Sequence, residues 1–310
     1  MKKRLLTLML TFVFCVTICL PVLAADPSSL SAADKVGSME RMLYGTEQGG
    51  SLNDRLDGLE DDIYGVVTTD LILERIDNLY DYLEGTTSDG SGTFTTKLNV
   101  VEWRLKSTMA AGAVKSRIES VEKMLNGEVG TGPLSSRLEE LLDLASYEDG
   151  VVPVKNVTLP ADSLIKVEFT EELSTRENKA GDILRLRAAD NFSVNDVLVI
   201  PKGAIGRGKI KKVSQPGMFG KDGRIDMEFT FVSAIDGTHI RIYIGELAKQ
   251  EMKSIAGAAG ASIGGIIILG PVGIVGGAFV KGKAMVIPKG SFTIVQTSGD
   301  TSVQGVVLKE

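Results

Sequence analysis

An internal period near 20 residues constrains this chain more than any other feature. A basic residue followed by Leu or Ile recurs at Arg55-Leu56, Arg75-Ile76, Lys97-Leu98, Arg117-Ile118 and Arg137-Leu138. Around each lies an apolar quartet at spacing 4-3-4: Leu52/Leu56/Leu59/Ile63, Ile72/Ile76/Leu79/Leu83, Phe94/Leu98/Val101/Leu105, Val114/Ile118/Val121/Leu125 and Leu134/Leu138/Leu141/Ala145. A partial first unit, Met39/Leu43, precedes them. That spacing puts one apolar stripe on a helix of about three turns. Several units end in Gly, at Tyr44-Gly45, Tyr64-Gly65, Glu84-Gly85 and Asn126-Gly127. Gly just past a helix end takes a positive φ and lets the last carbonyls find donors.

Helices this short are marginal alone, so each seam must pack on neighbours in the chain or on another subunit. The seam residues are Leu56, Leu59, Ile76, Leu79, Leu98, Val101, Ile118, Val121, Leu138 and Leu141. The region reads as a helical stalk or oligomerisation arm, with a ligand-binding array as the sharper alternative. Glu60-Asp61-Asp62 lacks the rest of a calcium loop and reads as a solvated helix face. Trp103, beside the third seam, reads as a packing residue.

Charge divides the chain near residue 150. Residues 26–150 carry 24 acidic and 11 basic side chains, and residues 151–310 carry 16 and 20. An acidic half and a weakly basic half without a basic stripe argue against nucleic acid as a partner. The N-terminus has the form of a signal peptide over residues 1–25: Lys2, Lys3 and Arg4, an apolar run, then Val22-Leu23-Ala24. Both cysteines, Cys15 and Cys19, fall within it. The expected mature chain then has no disulfide, thiolate metal site or Cys nucleophile, and its expected place is the periplasm or the periplasmic face of an outer membrane.

From Val154 the apolar period becomes two, with alternating runs at 164–169, 183–187, 204–210, 225–231, 239–244 and 292–296. Asn195-Asp196, Lys221-Asp222-Gly223 and Asp236-Gly237 supply turn chemistry between runs. A phrase built on Pro recurs before strands: Leu159-Pro160-Ala161-Asp162, Ile200-Pro201-Lys202-Gly203 and Ile287-Pro288-Lys289-Gly290. The expected fold class is α+β in separate regions. Short amphipathic helical repeats fill 26–150, and an antiparallel β-sandwich or barrel fills 151–310.

One segment breaks that pattern. Residues 254–280 run for 27 positions without a charged side chain, rich in Gly and Ala and interrupted by Gly270-Pro271. The length suits a bilayer span, but the Pro argues against one straight helix. Two arms of an apolar helical hairpin fit better. Small residues four apart, Ala256/Gly260/Gly264 and Gly273/Gly277, would let its backbones touch. Ala256, Gly260, Gly264, Gly270, Pro271, Gly273 and Gly277 are therefore the candidate membrane or assembly element.

The ordered set of "LPADSLIKVEFTEELSTRENKAGDILRLRAADNFSVNDVLVIPKGAIGRGKI", the "GMFGKDGRIDMEF" hairpin, the Gly-rich insert and "AMVIPKGSFTIVQT" resembles the TrbI/VirB10-like β-domain. The resemblance covers roughly residues 154–295. It implies a β-barrel that oligomerises, with an apolar helical hairpin between strands that crosses the outer membrane. The chain departs from the channel proteins of that family in its cleavable-looking signal and its lack of a long Pro-rich linker.

No catalytic set is legible. His239 is the only histidine and sits in an alternating run, and no zinc or phosphate-loop spacing exists. Adjacent residues on a strand point to opposite faces, so Glu171-Glu172 is a poor candidate for a carboxylate pair. The expected function is a non-enzymatic structural component of the bacterial cell envelope, held at the outer membrane through the insert and needing no cofactor. Alternatives are a subunit of a conjugation or type IV secretion-like channel, and a cell-wall polymer-binding module. Expected partners are further copies of the chain, outer-membrane lipid or an outer-membrane protein, and peptidoglycan.

Overall fold

The computed structural model describes residues 30–85, 90–217, 222–258, 269–270, 273–274 and 284–308. The expected signal peptide lies outside the described residues.

Among the described residues, six α-helices come first: α1 Ala32–Tyr44, α2 Leu52–Tyr64, α3 Ile72–Leu83, α4 Phe94–Lys106, α5 Val114–Asn126 and α6 Leu134–Leu144. Their starts and stops follow from local chemistry. Ser31 and Ser51 cap α1 and α2 by accepting from the amides of Asp34 and Asp54. Gly45, Gly65 and Gly127 close α1, α2 and α5 in the left-handed conformation. Leu56, Leu59, Ile76, Leu79, Leu98, Val101, Ile118, Val121, Leu138 and Leu141 are all at most 2% exposed, and they join one hydrophobic core. The seams meet within a single chain: α1 touches α2, α3 and α5, α2 touches α6, and α4 touches α5 and α6.

Of the two packings open to the seams, neighbours in the chain or another subunit, the structure shows the first. Seams already buried against one another are not free to zip onto another subunit.

A second periodicity runs through the array. Glu40, Glu60, Glu102 and Glu122 are each at most 4% exposed. Each carboxylate accepts the backbone N–H eight residues on, from Gln48, Thr68, Ala110 and Gly130, at 2.7–3.0 Å. Each also takes a two-pronged guanidinium fifteen residues on: Arg55, Arg75, Arg117 and Arg137, with Nη2 at 2.6–2.7 Å. The Glu thus holds the loop after its own helix and the start of the next helix together. Glu60 therefore belongs to the interior, not to a solvated face. A buried ion pair is a weak source of net stability, so its value here is in fixing register between successive helices.

The unit between α3 and α4 breaks this rule, since Lys97 replaces Arg and Tyr82 stands where the Glu would be. The reason is that α4 faces two ways. Phe94, Thr96, Leu98, Asn99, Val100, Val101 and Glu102 are all buried on it. The Asn99 amide donates to the Ile235 carbonyl of the β-region at 2.8 Å and accepts from Arg117 at 2.6 Å. The Met109 amide, after α4, donates to the Gly203 carbonyl at 3.2 Å. Trp103 Nε1 donates to Asn191 at 3.2 Å. Helices and strands share one continuous apolar core.

The β-region is organised around a closed barrel. In barrel order its strands are β13 Phe292–Thr297, β2 Leu164–Phe169, β4 Ile183–Ala188, β7 Ile205–Ser214, β8 Arg224–Ser233 and β9 His239–Tyr243. All pairings are antiparallel, and Gln296↔Tyr243 with Thr297↔Ile242 closes the ring. Ile165, Val167, Phe169, Leu184, Leu186, Ile240, Ile242 and Val295 fill the interior, as expected for a small barrel. A second sheet of β1 Val154–Leu159, β14 Thr301–Val307, β6 Val197–Ile200 and β5 Phe192–Val194 lies beside it. In the Pro phrases, Asp162, Gly203 and Gly290 all take positive φ, which turns the chain into the next strand.

The buried carboxylates set a pH response. Burial opposes ionisation of Glu40, Glu60 and Glu122, but Arg55, Arg75 and Arg137 with the loop amides outweigh it and hold all three below the ordinary 4.5. A depressed folded value contributes stability that is fully present above the unfolded value and is lost as pH falls through the folded one. Desolvation raises Glu84, which works in the opposite sense, adding stability below its unfolded value and losing it as pH rises through the folded one. With three groups against one, acid titration followed by far-UV circular dichroism is expected to show helix loss only below pH 4.5. Loss of helix between neutrality and that value would contradict it.

Candidate functional site

The uncharged segment is rooted on the barrel wall. After β9, Gly245 leads directly into α7, Glu246–Ala258. A Cβ at Gly245 would lie 2.1 Å from Gln296 Oε1, so only Gly lets the chain pass this close. Gln296, 2% exposed, accepts from the Ala248 amide at 3.0 Å and donates to Asp162 at 2.9 Å. Tyr243 donates to the same Asp162 carboxylate at 3.0 Å. Ala248, Met252 and Ile255 then pack on Leu164, Phe292 and Ile294, on the outside of β2 and β13.

The expected helical hairpin over 254–280 needs correction where the residues are described. The helix begins at Glu246, before the uncharged run, and includes Ala256. Beyond it, β10 Leu269–Gly270 pairs antiparallel with β11 Gly273–Ile274, and Leu269 pairs with Phe292 of β13. Gly270 and Gly273 therefore face each other across a strand pair instead of lining two helices. Gly260, Gly264, Pro271 and Gly277 lie outside the described residues. The run is thus attached to the barrel at α7 and again at β10. Further on, β12 Val286–Ile287 pairs with β3 Leu173–Ser174 in a separate two-stranded sheet, before β13 re-enters the barrel. Among the described residues, no helix is long and apolar enough to cross a membrane.

A second candidate is a cleft of ≈ 620 Å³ between the helices and the barrel. Lys35, Tyr80, Glu84, Arg117 and Asp236 supply its polar lining. Its charges are largely committed. Lys35 pairs with Asp77 at 2.8 Å, and Arg117 is held by Glu102 and Asn99. Asp236 accepts from the amides of Thr238 and Gln304 at 2.9 and 2.7 Å. No nucleophile and base converge there. His239 stacks on Phe231 with ring centroids 3.8 Å apart. Among the described residues, no group of three or more His, Cys, Asp or Glu side chains is gathered as a metal site.

Neither a protein-family model nor a curated protein matches the chain. Among solved structures, ComB10 of the Com type IV secretion system of Helicobacter pylori matches at 16% identity. The match covers 46% of this chain and 88% of that one, with a TM-score of 0.27. A likeness at that level carries no argument about this chain's activity.

Sequence reasoning missed two parts of this arrangement. The recurring Glu was legible, since Glu40, Glu60, Glu102 and Glu122 share the spacing of the basic residues. The Gln296–Asp162–Tyr243 cluster was not, because its members lie 53 to 134 residues apart in sequence.

Proposed function

We propose that this chain is a non-enzymatic structural component of the bacterial cell envelope. It is held at the outer membrane by the uncharged segment, and the helical array serves as a rigid cap on the barrel. One observation carries the reading: a 27-residue run without charge is anchored by α7 and β10 to one barrel wall. A soluble barrel has no need of so long an uncharged excursion, whereas a barrel that must meet an apolar phase does. The moderate hydrophobicity of Gly and Ala suits a segment that passes an export channel before it inserts.

The test is fractionation of cells producing the full chain and a variant lacking residues 259–280. That deletion leaves α7 and its packing on Ile294 in place. The full chain is expected in the outer-membrane fraction and the deletion in the soluble periplasm. Equal solubility of the two would overturn the proposal. The channel-subunit reading shares the closed barrel and differs in requiring a large assembly, which sedimentation of the detergent-extracted chain would reveal.

A further inference from the structure

We infer that the barrel wall beside the α4–α5 turn is a binding site for a phosphate-class oxyanion. A pocket of ≈ 250 Å³ lies there, with Thr108, Met109 and Ala111 on one side and Arg185, Arg187 and Arg207 on the other. The arginines come together by register. Arg185 sits directly opposite Arg207 on the neighbouring strand, and Arg187 follows two residues along the same face. Like charges opposite one another weaken a sheet, so a wall that keeps them gains from an anion between them.

The surrounding carboxylates neutralise only part of this charge. Arg185 pairs with Glu171 at 3.0 Å, and Arg187 pairs with Glu168. Further along β7, Lys209 and Lys211 share the single carboxylate of Glu228, at 3.5 and 3.2 Å. Arg207, half-buried, has no carboxylate partner among the described residues. A guanidinium with free, forked donors suits the tetrahedral oxygens of a phosphate better than a point charge does. The volume is below the ~300 Å³ at which pockets begin to enclose drug-sized molecules, so a phosphate group is the scale that fits. The roof is fixed, because the Met109 amide is tied to the Gly203 carbonyl. This inference does not rest on the envelope reading.

The same chemistry occurs in free phosphate and in a phosphodiester headgroup, so the test has two arms. The full chain is titrated calorimetrically with inorganic phosphate and, separately, with glycerophosphoglycerol, each against chloride at equal ionic strength. Binding to either is expected, weakened at least tenfold in Arg207→Gln and in Arg185→Gln, while both variants stay folded, with an unfolding temperature in chloride alone at or above that of the unaltered chain for Arg207→Gln. Preference for the diester would assign the site to a lipid headgroup, and preference for inorganic phosphate to a free anion. Arg207→Lys is expected to retain part of the affinity, because it keeps charge and loses the fork. No binding by the unaltered chain in either arm, or equal binding by both Gln variants, would overturn the inference.

Discussion

Arg117→Ala is expected to destabilise the folded chain by about 3–5 kcal/mol, the range for removing one partner of a buried ion pair. Arg117 reaches Glu102 with Nε at 3.3 Å and Nη2 at 2.7 Å, and Nη2 also reaches Asn99 at 2.6 Å. Glu102 is 0% exposed and keeps only the Ala110 amide when the guanidinium is gone. Asn99 loses a donor at the point where α4 meets the barrel, so the damage reaches both regions. Two controls separate the pair from its setting. Arg41→Ala, which breaks the exposed pair with Glu47, should change stability by less than about 1 kcal/mol. The double replacement Glu102→Gln with Arg117→Met should recover much of the loss, since no unpaired buried charge remains. Chemical unfolding measures all three. A loss under about 1 kcal/mol in Arg117→Ala would show that the pair is not sealed from water.

Gly203→Ala is the second large effect, expected at about 2–5 kcal/mol. Gly203 has φ 85°, which costs an L-residue with a Cβ about 1–2 kcal/mol. The added methyl would also stand 2.4 Å from Thr108 Cα and 2.6 Å from the Ser107 carbonyl, both backbone. Backbone cannot swing aside as a side chain can, so overpacking adds roughly 1–3 kcal/mol. The turn between α4 and α5 must lift off the barrel, and the Met109–Gly203 hydrogen bond goes with it. Gly181→Ala is the control, with φ 96° and nothing within 4 Å of the new methyl. It should cost the conformational part alone. Hydrogen exchange at Met109 should accelerate in Gly203→Ala and not in Gly181→Ala. Equal effects in the two variants would mean that the helices and the barrel are not pressed together at this point.

The repeat was legible because its signal is local. A 4-3-4 quartet lies within one helix, and Gly45, Gly65 and Gly127 mark ends that the chain itself enforces. What the quartets contact was not legible, because a seam has the same residues whether it meets its own chain or another. The Glu–Arg links would have argued for the former, since a spacing of fifteen residues joins successive helices. Alternation located the barrel strands. Closure between β9 and β13 rests on Ile242 and Thr297, pairing far apart in sequence, and nothing near either residue announces it. β14 was hidden by its Gly305, where a Cβ would press within 2.5 Å of Val197 Cγ1. The insert misled in a different way. Ala/Gly composition at helical spacing suggested two arms, while Leu269 pairs with Ile274 and Gly270 with Gly273 as antiparallel strand residues.

The two halves of the chain have different tasks in this account. The acidic helices pack on one another within the core they share with the barrel, and they brace the barrel through Asn99, Met109 and Trp103. The barrel in turn holds both roots of the uncharged run, through Met252 on Ile294 and Leu269 beside Phe292. That division predicts that damage to the array loosens the barrel, and that removal of the run leaves both intact.

Flotation of the purified full chain with vesicles of phosphatidylethanolamine and phosphatidylglycerol, beside the variant lacking residues 259–280, tests the central claim directly. The full chain is expected to rise with the vesicles and to stay with them in high salt, where surface charge attraction is screened. The variant should remain at the bottom of the gradient while unfolding at the same temperature as the full chain. Equal flotation of the two, or none by the full chain, would contradict the account.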